Sequence, residues 1–260
     1  MAIRQRPSRI PESLSAPAQM LRSRLRDKSK PDARLGLLKL EMIDLACDLV
    51  DARSLADLGG VRAVDGGYSF QAARRPGMKR VVLVDEDFTP EVTDRQTPTG
   101  ALEFVQGNFG DDRIAGRVGP VDVVLLFDVL FRQVRPDWDE VLDLYAAQTR
   151  CFVVVQPTYN APDAGAVRLV DLSAQRYLDI VPDLAIHVEA LEHLDEANVR
   201  RGRRWRDVHD IWQWGITGPA LERKLAELGF ELAHRESRGR WRGLDCFDDC
   251  AFVFVRPPAA

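Results

Sequence analysis

Residues Val121–Phe127 read VDVVLLF, an almost unbroken apolar run bounded by Pro120 and Asp128. Seven residues are too few for a buried helix but suit a strand covered on both faces, as in the middle of a parallel sheet. Cys151–Val155 (CFVVV) is a second strand of this kind, expected to stop at Pro157. Three more short strands precede them: Ser54–Leu58 (SLADL), Arg80–Val84 (RVVLV) and Leu102–Val105 (LEFV). Between them lie a helix from Tyr68, a polar loop with a short helix within Thr89–Gly100, and a helix over Asp139–Gln148. Strand and helix in alternation predict a doubly wound α/β sheet, mostly parallel, with helices on both faces and right-handed crossovers.

The flanks complete this frame. Leu35, Leu38, Met42, Leu45 and Leu49 recur at three and four, one face of a helix that Asp32 can cap and that leads into the first strand. After Gln156 the alternation breaks. Residues 157–216 form a helical insert, with Leu172–Ile180 and Glu189–Val199 as expected helices. Thr217 then caps a helix carrying Leu221, Leu225 and Leu228 and ended by Gly229. Strands over Phe230–Arg235 and Cys250–Val255 follow. About 15 residues separate them, too few for a helical crossover, so an antiparallel pair is expected. The expectation is a seven-stranded sheet with an antiparallel last strand and an insert between strands five and six. It divides the chain into a basic arm, 1–31, and one domain, 32–260.

Residues 54–85 add chemistry. The first strand runs into Gly59 and Gly60, a second glycine pair follows at Gly66 and Gly67, and the second strand ends at Asp85. Strand, glycine turn, helix, strand and acidic residue, over roughly 30 residues, is a mononucleotide-binding unit. Glycine lets the backbone approach a ligand, and the carboxylate can accept bonds from both hydroxyls of a ribose. In an open α/β sheet, ligands bind beyond the carboxyl ends of the strands. Those ends carry Gly59, Asp85, Asn108, Asp128 and Gln156.

The net charge of −4 gives no global signature of a nucleic-acid binder, although residues 1–31 hold eight Arg or Lys against two Asp or Glu. That arm is +6, leaving −10 on the remainder. Cys47 and Cys151 sit in apolar runs, and Cys246 and Cys250 lack zinc-site spacing, so a reducing cytoplasm is the expected compartment. No apolar stretch is long enough for a membrane span, and the N-terminus lacks the apolar core of a secretory signal.

Five alternating units closed by a helix and a final strand pair resemble class I S-adenosylmethionine (SAM)-dependent methyltransferases, from about residue 35 to 257. The matching residues are Asp57-Leu58-Gly59, Asp85, Gly107-Asn108, the run from Val121 to Leu130 (VDVVLLFDVL), and Leu228-Gly229-Phe230-Glu231. The resemblance implies SAM as cofactor. Gly59 and Gly60, with Asp57 just before them, would approach its methionine end, and Asp85 would hold the ribose. Asn108 and Phe109 would border the adenine, while Asp128 and Val129 would line the cofactor beside its methyl. Two departures stand out. Val61 and Ala63 occupy places where the family usually continues with glycine, and Phe131 and Arg132 follow where a His is often found.

Methyl transfer from a sulfonium mainly requires that two reactants be held in line, and an alcohol acceptor also benefits from a base. His209 is the leading base. It stands between Trp205 and Trp212 at i, i+4 and i+7, which predicts one helical face. Asp128 is the second candidate. His187 and His193 are expected on solvated helix faces, and His234 is given no role. Gln156-Pro157 does not suit the second acidic ligand of metal-dependent relatives, and Asp245, Asp248 and Asp249 read as a solvated loop, so metal-free chemistry is expected. Arg200, Arg201, Arg203, Arg204 and Arg206 read as a solvated helix face or as a clamp for a phosphate or carboxylate. Trp205, Trp212 and Trp214 read as a stacking surface or as the insert's own core.

The leading function is methyl transfer to a small-molecule acceptor, on a hydroxyl of a saccharide or natural product. An RNA methyltransferase is the alternative, favoured by the basic arm and the arginine run. Against nucleic acid as partner stands the absence of a Pro-Pro-Tyr or Pro-Pro-Trp signature after strand four. A nicotinamide oxidoreductase lacks its G-x-G-x-x-G. A non-catalytic methyltransferase-like protein is the remaining reading, because the glycine loop is irregular.

Overall fold

The structure is a computed structural model that describes residues 35–95, 100–161, 165–181 and 185–258. The basic arm and the Asp32 cap lie outside the described residues. In chain order the elements are α1 (Leu37–Leu49), β1 (Ser54–Leu58), α2 (Gly67–Ala72), β2 (Arg80–Asp85), α3 (Pro90–Thr93), β3 (Leu102–Gln106), α4 (Asp112–Val118), β4 (Val121–Phe127), α5 (Trp138–Ala146) and β5 (Thr149–Tyr159). The region after β5 holds β6 (Ala166–Arg168), α6 (Ala174–Ile180), α7 (Ala185–Glu192), β7 (Ala197–Asn198), β8 (Arg203–Arg204) and β9 (Trp214–Ile216). Helix α8 (Gly218–Glu227) and strands β10 (Glu231–Arg240) and β11 (Phe247–Val255) close the chain.

Seven strands form one sheet in the order β3-β2-β1-β4-β5-β11-β10. β1 to β5 pair in parallel, and β11 runs antiparallel between β5 and β10. This is the expected α/β architecture, including the antiparallel last strand. The period of two along each strand decides which helices cover which face. Leu55, Val81, Val123, Leu125 and Val153 share a core with Leu38, Met42, Ala46 and Tyr68 of α1 and α2. Ala56, Val82, Val124, Leu126 and Val154 pack against Ala115, Val141, Leu142, Leu221 and Leu225 of α4, α5 and α8. Both faces of β4 are therefore dry. Each of its buried Val or Leu side chains contributes about 1.5–3 kcal/mol relative to exposure.

Several boundaries differ from expectation. The buried face of α1 is rotated from the expected one: Leu38, Met42, Ile43, Ala46 and Cys47 are buried, whereas Leu49 is 47% exposed. Pro157 does not stop β5, which continues to Tyr159 on its β11 ladder, with Pro157 opposite Asp249. The Val155 carbonyl still meets the first residue past β4, Asp128, at 2.9 Å. Two residues on, Pro157 points its missing N–H to that same side, where β4 has ended and no ladder bond is required.

The insert has a core of its own. Trp212 is fully buried, with ring centroids 4.6 Å from Phe131 and 4.9 Å from Phe247, residues that adjoin β4 and begin β11. The Tyr177 hydroxyl donates to the Trp212 carbonyl at 3.0 Å and accepts its N–H at 3.1 Å. Thr217 caps α8 by accepting the Ala220 N–H, as expected. Among the described residues no helix is long and apolar enough to cross a membrane.

Candidate active site

At the carboxyl rim, β1 turns at Gly59, whose φ is +75° and whose N–H donates to the Val84 carbonyl at 2.7 Å. A Cβ here would lie 2.8 Å from Val129 Cγ1 and 3.4 Å from the Phe109 ring. The ends of β1, β3 and β4 thus meet at one point, and side chains already demand the glycine. Gly60 is required for a similar reason, because a Cβ would overlap the Asp57 carboxylate. Asp57 is 1% exposed and accepts the Ser69 hydroxyl at 2.7 Å. Burial pushes its pKa up to about 6, against the Ser69 bond and Lys39, which lower it.

The loop beyond is wound tightly. Asp65 N–H bonds the Val61 carbonyl at 2.8 Å and Gly66 N–H bonds the Gly60 carbonyl at 3.1 Å. Ala63 and Asp65 take φ of +68° and +47°, a conformation uncommon outside glycine. The loop is therefore longer than one with glycines at alternate positions, and local bonds hold its strained residues. Asp85 tethers it: one carboxylate oxygen accepts the Val61 N–H at 2.9 Å, while the other lies 3.4 Å from the Asp87 N–H. Burial raises the Asp85 pKa and these amides oppose the rise.

Asp128 closes β4 with φ +58°. Its carboxylate meets Lys39 Nζ of α1 at 2.5 Å. The ammonium also lies 5.6 Å from the ring of Tyr68 and 5.4 Å from that of Phe127. Burial alone would lower the Lys39 pKa, but Asp128, with Tyr68 and Asp57, turns the net shift upward. Asp249 belongs to β11 rather than to a solvated loop, and burial together with Asp128 raises its pKa.

The insert supplies the opposite wall. Residues 205–212 do not form the expected helix: Trp205–Asp207 is one 3₁₀ turn, and the chain is irregular from there to β9. His209 Nδ1 lies 3.2 Å from the Arg132 carbonyl. That oxygen can only accept, so Nδ1 carries the hydrogen and Nε2 is left as the basic nitrogen. Burial lowers the His209 pKa, with Glu86 acting against it. Arg132 returns the contact, donating to the Asp210 carbonyl at 3.0 Å. The Asp210 side chain bonds Arg62 of the glycine loop at 2.9 Å and Arg201 at 2.7 Å.

Where the insert meets the segments after β3 and β4 lies a cavity of about 280 Å³, lined by Asn108, Val134, Arg135, Arg203, Arg204, Asp207 and His209. The structure therefore brings Asn108 and His209 to one cavity and Gly59, Phe109 and Val129 to one contact, while Asp85 and Asp128 stand at the ends of β2 and β4 and Asp57 is buried beneath Gly60. His187 is buried, not solvated, with its ring 5.7 Å from Tyr177. His193 pairs with Glu196 at 3.0 Å. The arginine run is not a helix face either. Arg203 and Arg204 form β8, and Arg206 bonds Asp195 and Asp171.

No family model matches the sequence, and no curated protein matches it. Among solved structures the chain is similar to an O-methyltransferase family protein from Burkholderia thailandensis, with 17% identity, a TM-score of 0.50 and coverage of 86% of this chain. It spans only 57% of that protein. It is also similar to the N-terminal domain of EvdMO1 crystallised with SAH bound (14% identity, TM-score 0.51, 86% of this chain and 83% of that one). A second crystal of that domain, in the presence of SAH and D-fucose, matches at 13% identity and TM-score 0.51 over 96% of this chain and 100% of that one. The chain has the class I SAM-dependent methyltransferase fold. Its strand order and antiparallel β11 are those of the fold, in which ligands bind beyond the carboxyl ends of the strands.

No sequence motif marks Lys39, Arg62, Arg135 or Asp210, and Arg132 shows only as a departure from the family pattern. Lys39 did leave a signal, being the sole basic residue of α1. Arg62, Arg135 and Asp210 lie in loops and Arg132 ends a 3₁₀ turn, where nothing periodic marks a partner. On this methyltransferase fold only the folded insert brings Asp210 to Arg62, across a sequence separation that no spacing rule spans.

Proposed function

We propose that this protein is a SAM-dependent methyltransferase acting on a hydroxyl of a small molecule, a saccharide or natural product. The observation that carries the reading is the set of charges at the rim. Asp85 presents a carboxylate beside the glycine loop, while the Lys39–Asp128 pair offers both signs within 2.5 Å. The methionyl end of SAM is a zwitterion and its ribose is a diol, so both find complementary groups. Lys39 would take the carboxylate, Asp128 the ammonium, and Asp85 the ribose hydroxyls. The apolar contact of Gly59, Phe109 and Val129 would border the thioether and adenine. SAM, when bound, supplies a methyl group activated on sulfonium. The chain's own residues then hold the acceptor in line and remove its proton.

His209 is the proposed base. Its Nδ1 is fixed on Arg132, and its lowered pKa leaves the ring neutral and able to accept a proton at neutral pH. Asp128 is assigned to binding, because its carboxylate is engaged by Lys39. The insert, tied by Asp210 to Arg62, would act as a lid that excludes water. The presence of D-fucose with the EvdMO1 domain is in keeping with a saccharide acceptor. Calorimetric titration of the full chain with SAH and separately with NADH tests the reading. Micromolar SAH binding and no NADH binding are expected; binding of NADH alone would overturn it, and binding of neither would favour a non-catalytic protein.

A further inference from the structure

The cavity beside Asn108 has a chemistry that a neutral hydroxyl acceptor does not need. Three arginines, Arg135, Arg203 and Arg204, line it with one acidic residue, Asp207. Arg204 bonds that carboxylate at 3.1 Å. Arg135 and Arg203 form no ion pair and no side-chain hydrogen bond among the described residues, although most arginines of the insert do. Arg201 is held by Asp210, Arg204 by Asp207, and Arg206 by Asp195 and Asp171. The two groups outside ion pairs stand on different elements, Arg135 in the loop between β4 and α5, where Asp137 also attracts it, and Arg203 on β8. They share a cavity with His209, whose basic nitrogen is Nε2.

We propose that this cavity binds the phosphate monoester of a phosphorylated small-molecule acceptor, with Arg135 and Arg203 as its specificity-determining residues; this rests on the methyltransferase reading. The lining charges sum to +2 with His209 neutral. A phosphate monoester of about −1.5 to −2 at neutral pH balances them, whereas a carboxylate leaves an excess. Arginines contributed by two separate elements suit a tetrahedral oxyanion, which offers oxygens on several sides. The volume, about 280 Å³, is near the lower end of small-molecule sites, roughly 300–1,000 Å³. It fits a phosphate with part of the group that carries it, and it does not require a polymer. Held there, the acceptor extends past His209 toward the rim, which places a hydroxyl rather than the phosphate at the base.

The test titrates the full chain, saturated with SAH, with inorganic phosphate at constant ionic strength set by chloride. The same titration is made on Arg135→Ala and Arg203→Ala, both exposed positions, and SAH affinity is measured on all three proteins. Phosphate binding that weakens about tenfold or more in each variant, with SAH affinity unchanged, is the expected result. Phosphate binding that is absent in the parent, or the same in both variants, overturns the proposal. If SAH itself fails to bind while phosphate behaves as expected, the methyltransferase reading falls and the acceptor assignment falls with it. A single-stranded oligonucleotide that binds more tightly than phosphate, with a steep salt dependence lost in the same variants, also overturns it, in favour of nucleic acid.

Discussion

Replacing Asp57 by Asn should stabilise the protein, and more so as pH rises. Asp57 is 1% exposed and accepts one side-chain bond, from Ser69 at 2.7 Å. Burial lifts its pKa from the ordinary 3.8 to about 6. The folded state therefore holds the Asp57 proton more tightly than the unfolded chain does. Below about pH 3.8 this group contributes its full stabilisation, and the contribution is lost as pH rises through about 6. A gap of that size corresponds to about 3 kcal/mol, the cost of keeping the buried carboxylate ionised at pH 8 relative to its protonated form. Asn keeps an oxygen for the Ser69 hydroxyl and nearly the same shape, but it carries no charge. The assay is urea unfolding of both proteins from pH 4 to pH 8, taken as the difference in unfolding free energy at each pH. Groups common to the two proteins cancel in that difference. It should grow by up to about 3 kcal/mol across the window, with most of the change between pH 4 and 6.5. A difference that stays flat with pH would refute the reasoning, because Asp57 would then have the same pKa folded and unfolded.

Three further outcomes are expected. Asp85→Ala should weaken SAH binding by about tenfold or more, since bonds to a charged acceptor are worth about 1.5–3 kcal/mol; Asp85→Asn, which keeps an oxygen for the Val61 N–H, should separate ribose recognition from loop tethering. His209→Gln should lower turnover by about 10²–10⁴-fold with SAH affinity intact, and the parent's rate should fall on the acid side at a pH below the ordinary imidazole value, because burial favours the neutral ring. Trp212→Ala should cost about 3–5 kcal/mol, read by denaturant unfolding, since this ring joins Phe131 and Phe247 in the core of the insert.

The frame of the fold was legible because it rests on short-range patterns. Val121–Phe127 matches β4 residue for residue, and Ser54–Leu58 matches β1. Fully buried strands leave apolar runs that need no tertiary information to recognise. The misreadings arose where tertiary packing overrides local pattern. Pro157 sits within β5 because its neighbour β4 has already ended, a fact of sheet assembly rather than of sequence. Trp205, His209 and Trp212 have helical spacing, yet each is placed by a separate partner: His209 by Arg132, Trp212 by Phe131 and Tyr177, and Trp205 by a 3₁₀ turn. At the site, the strand-end residues could be named in advance because topology alone delivers them to the rim. Lys39, Arg62 and Asp210 could not, since their roles depend on which charge the fold sets opposite them.

The central claim is that SAM lies across the carboxyl rim with its ribose on Asp85 and its methionyl end between Lys39 and Asp128. A crystal structure of the full chain grown with SAH tests it most directly. The account predicts adenosine density over the ends of β1 and β2, ribose hydroxyls within hydrogen-bond reach of Asp85, and the Lys39–Asp128 pair opened to receive the amino-acid group. SAH bound elsewhere, or an empty rim with Lys39 still closed on Asp128, would contradict it.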